Sequence, residues 1–192
     1  ALVIVKQALE IIDEKSNEYL SWLNVLGYIY CNLENYSYAF DVYDRYIELS
    51  EQQQDFENLH MGFHQKAMVF RLNKQYSEAL DYIKREKELI DNSFKDDKLK
   101  ISVNEYEYGY LLYLMDHVEE ANKHMRESLK QALETEDVIA QACAYRGLAE
   151  ISYKNNDFKL ANNYIDQAYD LFIKAEDSIG AEEVIQIRKK MN

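Results

Sequence analysis

The chain is expected to be all-α, a solenoid of antiparallel helix pairs, and three observations predict it. A small residue recurs at Gly27, Ala67, Gly109 and Ala149, at intervals of 40, 42 and 40 residues. Twelve residues after each comes an alanine: Ala39, Ala79, Ala121 or Ala161. A large apolar residue stands three before each alanine (Tyr36, Tyr76, Val118, Phe158) and another four after it (Tyr43, Ile83, Met125, Ile165). Third, helix breakers are scarce, with no proline and five glycines in 192 residues. Small residues let two helix backbones approach, and the bulky ones fill the space beside them. Stacked, such pairs bury a continuous core that one pair alone cannot.

The elements follow in order along a single expected array, 1–192. Residues 1–16 read as a second helix, because Ala8 and Ile12 keep the spacing of that helix. Its first helix is missing and the chain starts with Ala1, so a truncated repeat of a longer protein is expected. The first full copy spans 18–52 and turns at Leu33-Glu34-Asn35; the second spans 56–91 and turns near Asn73-Lys74-Gln75. A polar link, Asn92 to Asp97, leads to a third copy over 98–135 that turns near Asp116-His117. Glu105 stands there where a large apolar residue belongs, so that helix is expected to start late or to be rotated. The fourth copy spans 138–176 and turns at Asn155-Asn156-Asp157. Asp177 or Ser178 then caps a last helix over 178–192, with Glu182 and Glu183 early and Arg188, Lys189 and Lys190 late, which suits the helix dipole. Its face of Ile179, Val184, Ile187 and Met191 is expected to cover the open end of the stack.

The formal charge of −13 argues against nucleic-acid binding, since phosphate contacts need a basic patch. Cations and acids alternate along most helices, as in Lys84-Arg85-Glu86-Lys87-Glu88, which reads as a solvated face. No apolar run approaches the roughly 20 residues that span a bilayer, so no membrane partner is expected. Cys31 and Cys143 lie nearly three repeats apart and read as free thiols of a reducing, cytoplasmic compartment. His60 and His64, four apart on a helix, have the spacing of a metal pair. They lack a third ligand nearby, and no metal or cofactor is expected. His117 and His124 read as surface residues. No phosphate loop, nucleophile elbow or Cys-x-x-Cys pair occurs, and the chain is not expected to be an enzyme.

The repeating pattern resembles the tetratricopeptide repeat in a longer variant of about 40 residues. The resemblance rests on Leu23, Leu26, Gly27 and Tyr30; on Phe63, Ala67 and Phe70; on Tyr108, Gly109 and Leu112; and on Tyr145, Leu148 and Ala149. It implies a right-handed α-α superhelix whose first helices line a concave groove. Groove positions then fall six, three and two before each small residue, and one, four and five after it. The candidate ligand residues are Asn24, Tyr28, His64, Met68, Arg71, Tyr106, Tyr110, Tyr113, Arg146, Glu150 and Tyr153. Tyrosine supplies rigid apolar area with a hydroxyl, which favours it at interfaces. An alternative is that these rings pack between pairs and that the arginines bond neighbouring acids such as Glu107 or Glu150. The resemblance implies a scaffold that binds a peptide or protein segment. Longer repeats rich in tyrosine and asparagine look like the sensor domains of Gram-positive, peptide-regulated transcription regulators and Rap-type phosphatases. A structural module dimerising through its terminal helices, or a regulatory domain of a larger protein, are the alternatives.

Overall fold

The computed structural model describes residues 1–191, and among them are ten helices and no strand. The helices are α1 (Leu2–Ile11), α2 (Asn17–Asn32), α3 (Tyr36–Gln53), α4 (Phe56–Leu72) and α5 (Tyr76–Ser93), then α6 (Lys98–Leu114), α7 (Val118–Leu133), α8 (Val138–Lys154), α9 (Phe158–Lys174) and α10 (Ser178–Met191). The chain divides into two compact units, Ala1–Ser93 and a second from Phe94 onward. In the first, α1 packs on α2, α2 pairs with α3, and α4 pairs with α5. In the second, α6 pairs with α7 and α8 with α9, while α10 packs on α9 and also reaches α8.

Short polar residues start the first helices. Ser16, Asp55, Asp97 and Asp137 each accept from the backbone N–H three residues on, at 3.1, 3.0, 3.0 and 2.8 Å. Asp177 does the same for α10, accepting from Gly180 at 2.9 Å. Each cap satisfies a donor that the first turn leaves without an intrahelical partner. The caps therefore recur with the same period as the packing residues.

The turn inside each pair is also repeated. Glu34, Lys74, Asp116 and Asn156 take positive φ of 54°, 61°, 68° and 62°. The next residue (Asn35, Gln75, His117 or Asp157) donates its N–H to the carbonyl five back, at 2.9 Å in every copy. This is the left-handed closure that most helices assign to glycine, made here by residues with a Cβ.

Packing follows the small-and-bulky pattern. Ala39, Ala79, Ala121 and Ala161 are all buried. At Gly27 an added Cβ would lie 2.4 Å from Cζ of Tyr43, so the ring of α3 occupies the space a side chain would need.

Three expectations are corrected. Helix α6 starts on time, capped by Asp97, although Glu105 fills an apolar position. Glu105 is buried and its Oε2 lies 2.6 Å from Nδ1 of His124, whose ring stacks 4.1 Å from that of Tyr108. An imidazole–carboxylate pair replaces the apolar contact without delaying the helix start, and His124 is half-buried rather than a plain surface residue. Ile179 is 74% exposed and closes nothing. Ala181 and Val184, with Ile187 and Met191 beside them, make the closing contact against Ile165 and Phe172.

Candidate functional site

In the first unit the faces of α2 and α4 frame two adjoining hollows. The smaller, about 240 Å³, is lined by Asn24, Val25, Tyr28 and Gln65. The larger, about 330 Å³, shares Tyr28 and Gln65 and adds Met68 and Leu72 as an apolar wall, with Cys31, Asn32 and Tyr43 beside them. The larger volume is at the lower end of what small-ligand pockets offer. Tyr28 is 63% exposed, and Val25 and Leu72 stand open as well. Glu34 is the one charged residue in either lining. The surface is therefore apolar with a carboxamide rim.

The other candidates of this unit, His64 and Arg71, line neither hollow. His64 turns to α5, its Nδ1 lying 3.2 Å from Oε1 of Glu86, and Nε2 of His60 approaches the same oxygen at 3.0 Å. Glu86 is fully buried, which corrects the solvated face expected for Lys84 to Glu88 at this residue. Burial alone would push its carboxyl up, but the charge of His64, joined by His60, reverses this and holds it down to about 2. Among the described residues no group of three or more His, Cys, Asp or Glu is placed to hold a metal ion. Arg71 directs Nη2 to the sulfur of Met68 at 3.0 Å.

In the second unit, Tyr106, Tyr110 and Tyr113 of α6 form a ladder of near-parallel rings, 6.0 and 6.2 Å between centroids. Tyr106 is buried, and its hydroxyl accepts from Nη2 of Arg146 at 2.6 Å. Burial pushes that phenol far above its ordinary range. Nη1 of the same arginine pairs with Glu183 of α10. Burial also pushes the Cys143 thiol up to about 11 and raises the Glu150 carboxyl, with Arg146 opposing both. Tyr153 donates to the carbonyl of Lys190 at 3.2 Å, and the Lys154 ammonium sits 4.9 Å over the Tyr113 ring. Here α10 supplies partners to the face of α8, so Arg146 is committed internally. Its acidic partner is Glu183, neither of the two acids the sequence suggested.

Counting from the small residues finds the α2 and α4 linings. It misses Tyr43, Tyr36 and Glu34, which reach the larger hollow from the second helix and the turn. The close approach of Tyr43 to Gly27 was the available signal: a glycine paired with a tyrosine 16 residues later, where other copies carry Ile or Met.

The described helices, paired, capped and turned with one period, make a helical-repeat fold of tetratricopeptide-like form. No family model and no curated protein matches the sequence. Solved structures do match. A signal-transduction ATPase with a tetratricopeptide-repeat sensor from Pyrococcus horikoshii is 21% identical at a TM-score of 0.76, over 95% of this chain and 28% of that one. The apo form of RapI is 14% identical at 0.75, over 96% and 71%. NprR in complex with its cognate peptide NprX is 16% identical at 0.74, over 98% of this chain and 55% of that one. The likeness establishes the fold. Among the described residues no helix is long and apolar enough to cross a membrane.

Proposed function

We propose that the chain is a non-catalytic scaffold that holds a peptide or protein segment in extended form, with the hollows of the first unit as the recognition surface. One observation carries this: Tyr28, Met68 and Leu72 with the carboxamides of Asn24 and Gln65 line adjoining open hollows that nothing in the unit fills. His64 and Arg71 flank them on α4. In the second unit Tyr110, Tyr113, Glu150 and Tyr153 offer a further contact strip, whereas Tyr106 and Arg146 act as its support. That NprR matches while bound to a peptide favours a peptide over a folded partner. The finer reading is the ligand-sensing part of a cytoplasmic, peptide-regulated bacterial transcription regulator, supported by the same neighbour and by RapI.

The test is calorimetric titration with heptapeptides selected on the chain from a random library. Tyr28→Ala is expected to weaken binding about tenfold or more, as truncating an aromatic anchor does. Met68→Glu is expected to abolish it by burying a charge. Undiminished binding in both variants refutes the assignment. A second reading, self-association through α1, is favoured by Val3, Ile4 and Ile11, exposed by 67, 64 and 86%. Sedimentation velocity on Ile4→Lys/Ile11→Lys decides it, with a monomeric wild-type chain as the refuting result.

A further inference from the structure

The hollow of the first unit is reached from below by a side chain outside the groove helices. Tyr43 belongs to α3 and is 1% exposed, yet its ring passes beneath α2 through the space left at Gly27. A Cβ at position 27 would meet its Cζ, Cε2 and hydroxyl at 2.4, 2.6 and 2.8 Å. Through that gap the hydroxyl arrives one turn up α2, 3.3 Å from the carbonyl oxygen of Asn24 and 3.3 Å from its Oδ1. Asn24 lines the smaller hollow and Tyr43 the larger one.

We infer that Tyr43 is a positioning residue for ligand recognition: its hydroxyl holds the carboxamide oxygen of Asn24, which leaves the carboxamide nitrogen to donate to a main-chain carbonyl of an extended, uncharged peptide segment. This rests on reading the hollows as a peptide site. An asparagine carries one acceptor oxygen and two N–H donors, and an unrestrained one presents either end. With Oδ1 engaged below, the end left for a ligand is the donor; Nδ2 has no hydrogen-bond partner among the described residues. Burial pushes the Tyr43 phenol well above its ordinary value, so the hydroxyl keeps its proton and remains a donor itself. A preset carboxamide forms its bond without first losing rotamer freedom, which is how preorganisation raises affinity. The chemistry of the linings sets the ligand class. With Glu34 the one charge present, recognition comes from main-chain hydrogen bonds and apolar side chains, and binding responds weakly to salt.

The experiment uses the whole chain and the tightest heptapeptide from a random phage-displayed library, labelled with fluorescein and followed by anisotropy. Four proteins form a cycle: wild type, Tyr43→Phe, Asn24→Ala and the double variant. Phenylalanine keeps the ring beneath Gly27 and removes the hydroxyl alone. Tyr43→Phe is expected to raise Kd about three- to tenfold, the scale of one net hydrogen bond. In the Asn24→Ala background the same change is expected to have a clearly smaller effect, since only the contact to the main-chain carbonyl of residue 24 is then lost. A purely structural role would raise Kd alike in both backgrounds, and that result, or an unchanged Kd in Tyr43→Phe, overturns the inference. Met68→Glu separates the two levels. If it leaves peptide binding intact, or if no library peptide binds the wild type, the peptide site itself falls and Tyr43's role with it. If Met68→Glu abolishes binding while Tyr43→Phe is silent, the site stands and the positioning role alone is removed.

Discussion

Exchanging Glu86 for glutamine tests whether the buried carboxylate of the first unit is held by its two histidines. The carboxyl is held down to about 2 in the fold, against an ordinary value of 4.5. A depressed carboxyl contributes stability that is fully present above its unfolded value and is lost as pH falls toward the folded one. The difference of some 2.5 units corresponds to roughly 3 kcal/mol. Of this, about 1 kcal/mol disappears between pH 5.5 and 3.5, and most of the remainder by pH 2. Trp22, the single tryptophan, packs on the core of the same unit and reports its unfolding by fluorescence. Urea titrations on wild type and Glu86→Gln share every other carboxylate. Below about pH 5, where the histidines of the unfolded chain are already charged, their difference therefore follows residue 86 together with the two histidines that touch it. The glutamine variant is expected to be less stable by roughly 3 kcal/mol at pH 6.5, with the gap narrowing as pH falls. A gap that stays constant or widens toward acid refutes the assignment of Glu86 as an ionised, histidine-held carboxylate.

Further outcomes follow from the repeated backbone devices. Gly27→Ala places a methyl against the Tyr43 ring and should cost about 1–3 kcal/mol in urea unfolding followed by Trp22. Lys74→Gly relieves a left-handed residue; the gain of about 1–2 kcal/mol exceeds the added freedom of the unfolded chain. A net rise of roughly 0.5–1 kcal/mol in stability is expected, while Lys74→Ala gives none. Asp137→Ala removes the cap on α8 and should lower stability by about 1 kcal/mol, seen in thermal melts by circular dichroism.

The helix pairs were legible because packing is a periodic constraint: a backbone approach that needs Gly27 in one copy needs Ala67, Gly109 and Ala149 in the others. The turns were legible as polar breaks, but their left-handed residues were not. Glu34 and Lys74 are not residues that signal positive φ, and only the six-to-one hydrogen bond reveals it. Glu105 misled for a related reason. A sequence shows that an apolar position is broken but not that His124, 19 residues later, fills it with a complementary polar group. The groove count falls on residues of α2 and α4 that line the hollows because their register follows from the small residue. It failed to find Tyr43, since a side chain crossing beneath a helix belongs to no face of that helix.

Register alone also fails to say whether a groove position is open. Arg146 and Tyr28 have equivalent standing in the sequence, one on each side of the count from its small residue. What separates them is the neighbouring first helix. In the second unit α6, α8 and α10 contact in succession, so Arg146 meets Tyr106 on one side and Glu183 on the other. A guanidinium with five donors in a mostly buried position needs such partners, and once it has them it is part of the wall. In the first unit α2 and α4 contact directly, and Tyr28 stands exposed over apolar ground while Gln65 spends its Nε2 only on the sulfur of Met61, at 3.5 Å. The same repeat thus yields a closed polar clasp where a following helix brings a carboxylate, and open apolar hollows between α2 and α4. Of the third copy's tyrosines Tyr106 is thus committed to the wall, and the carboxamide-rimmed face of the first two copies is the one we propose for the ligand.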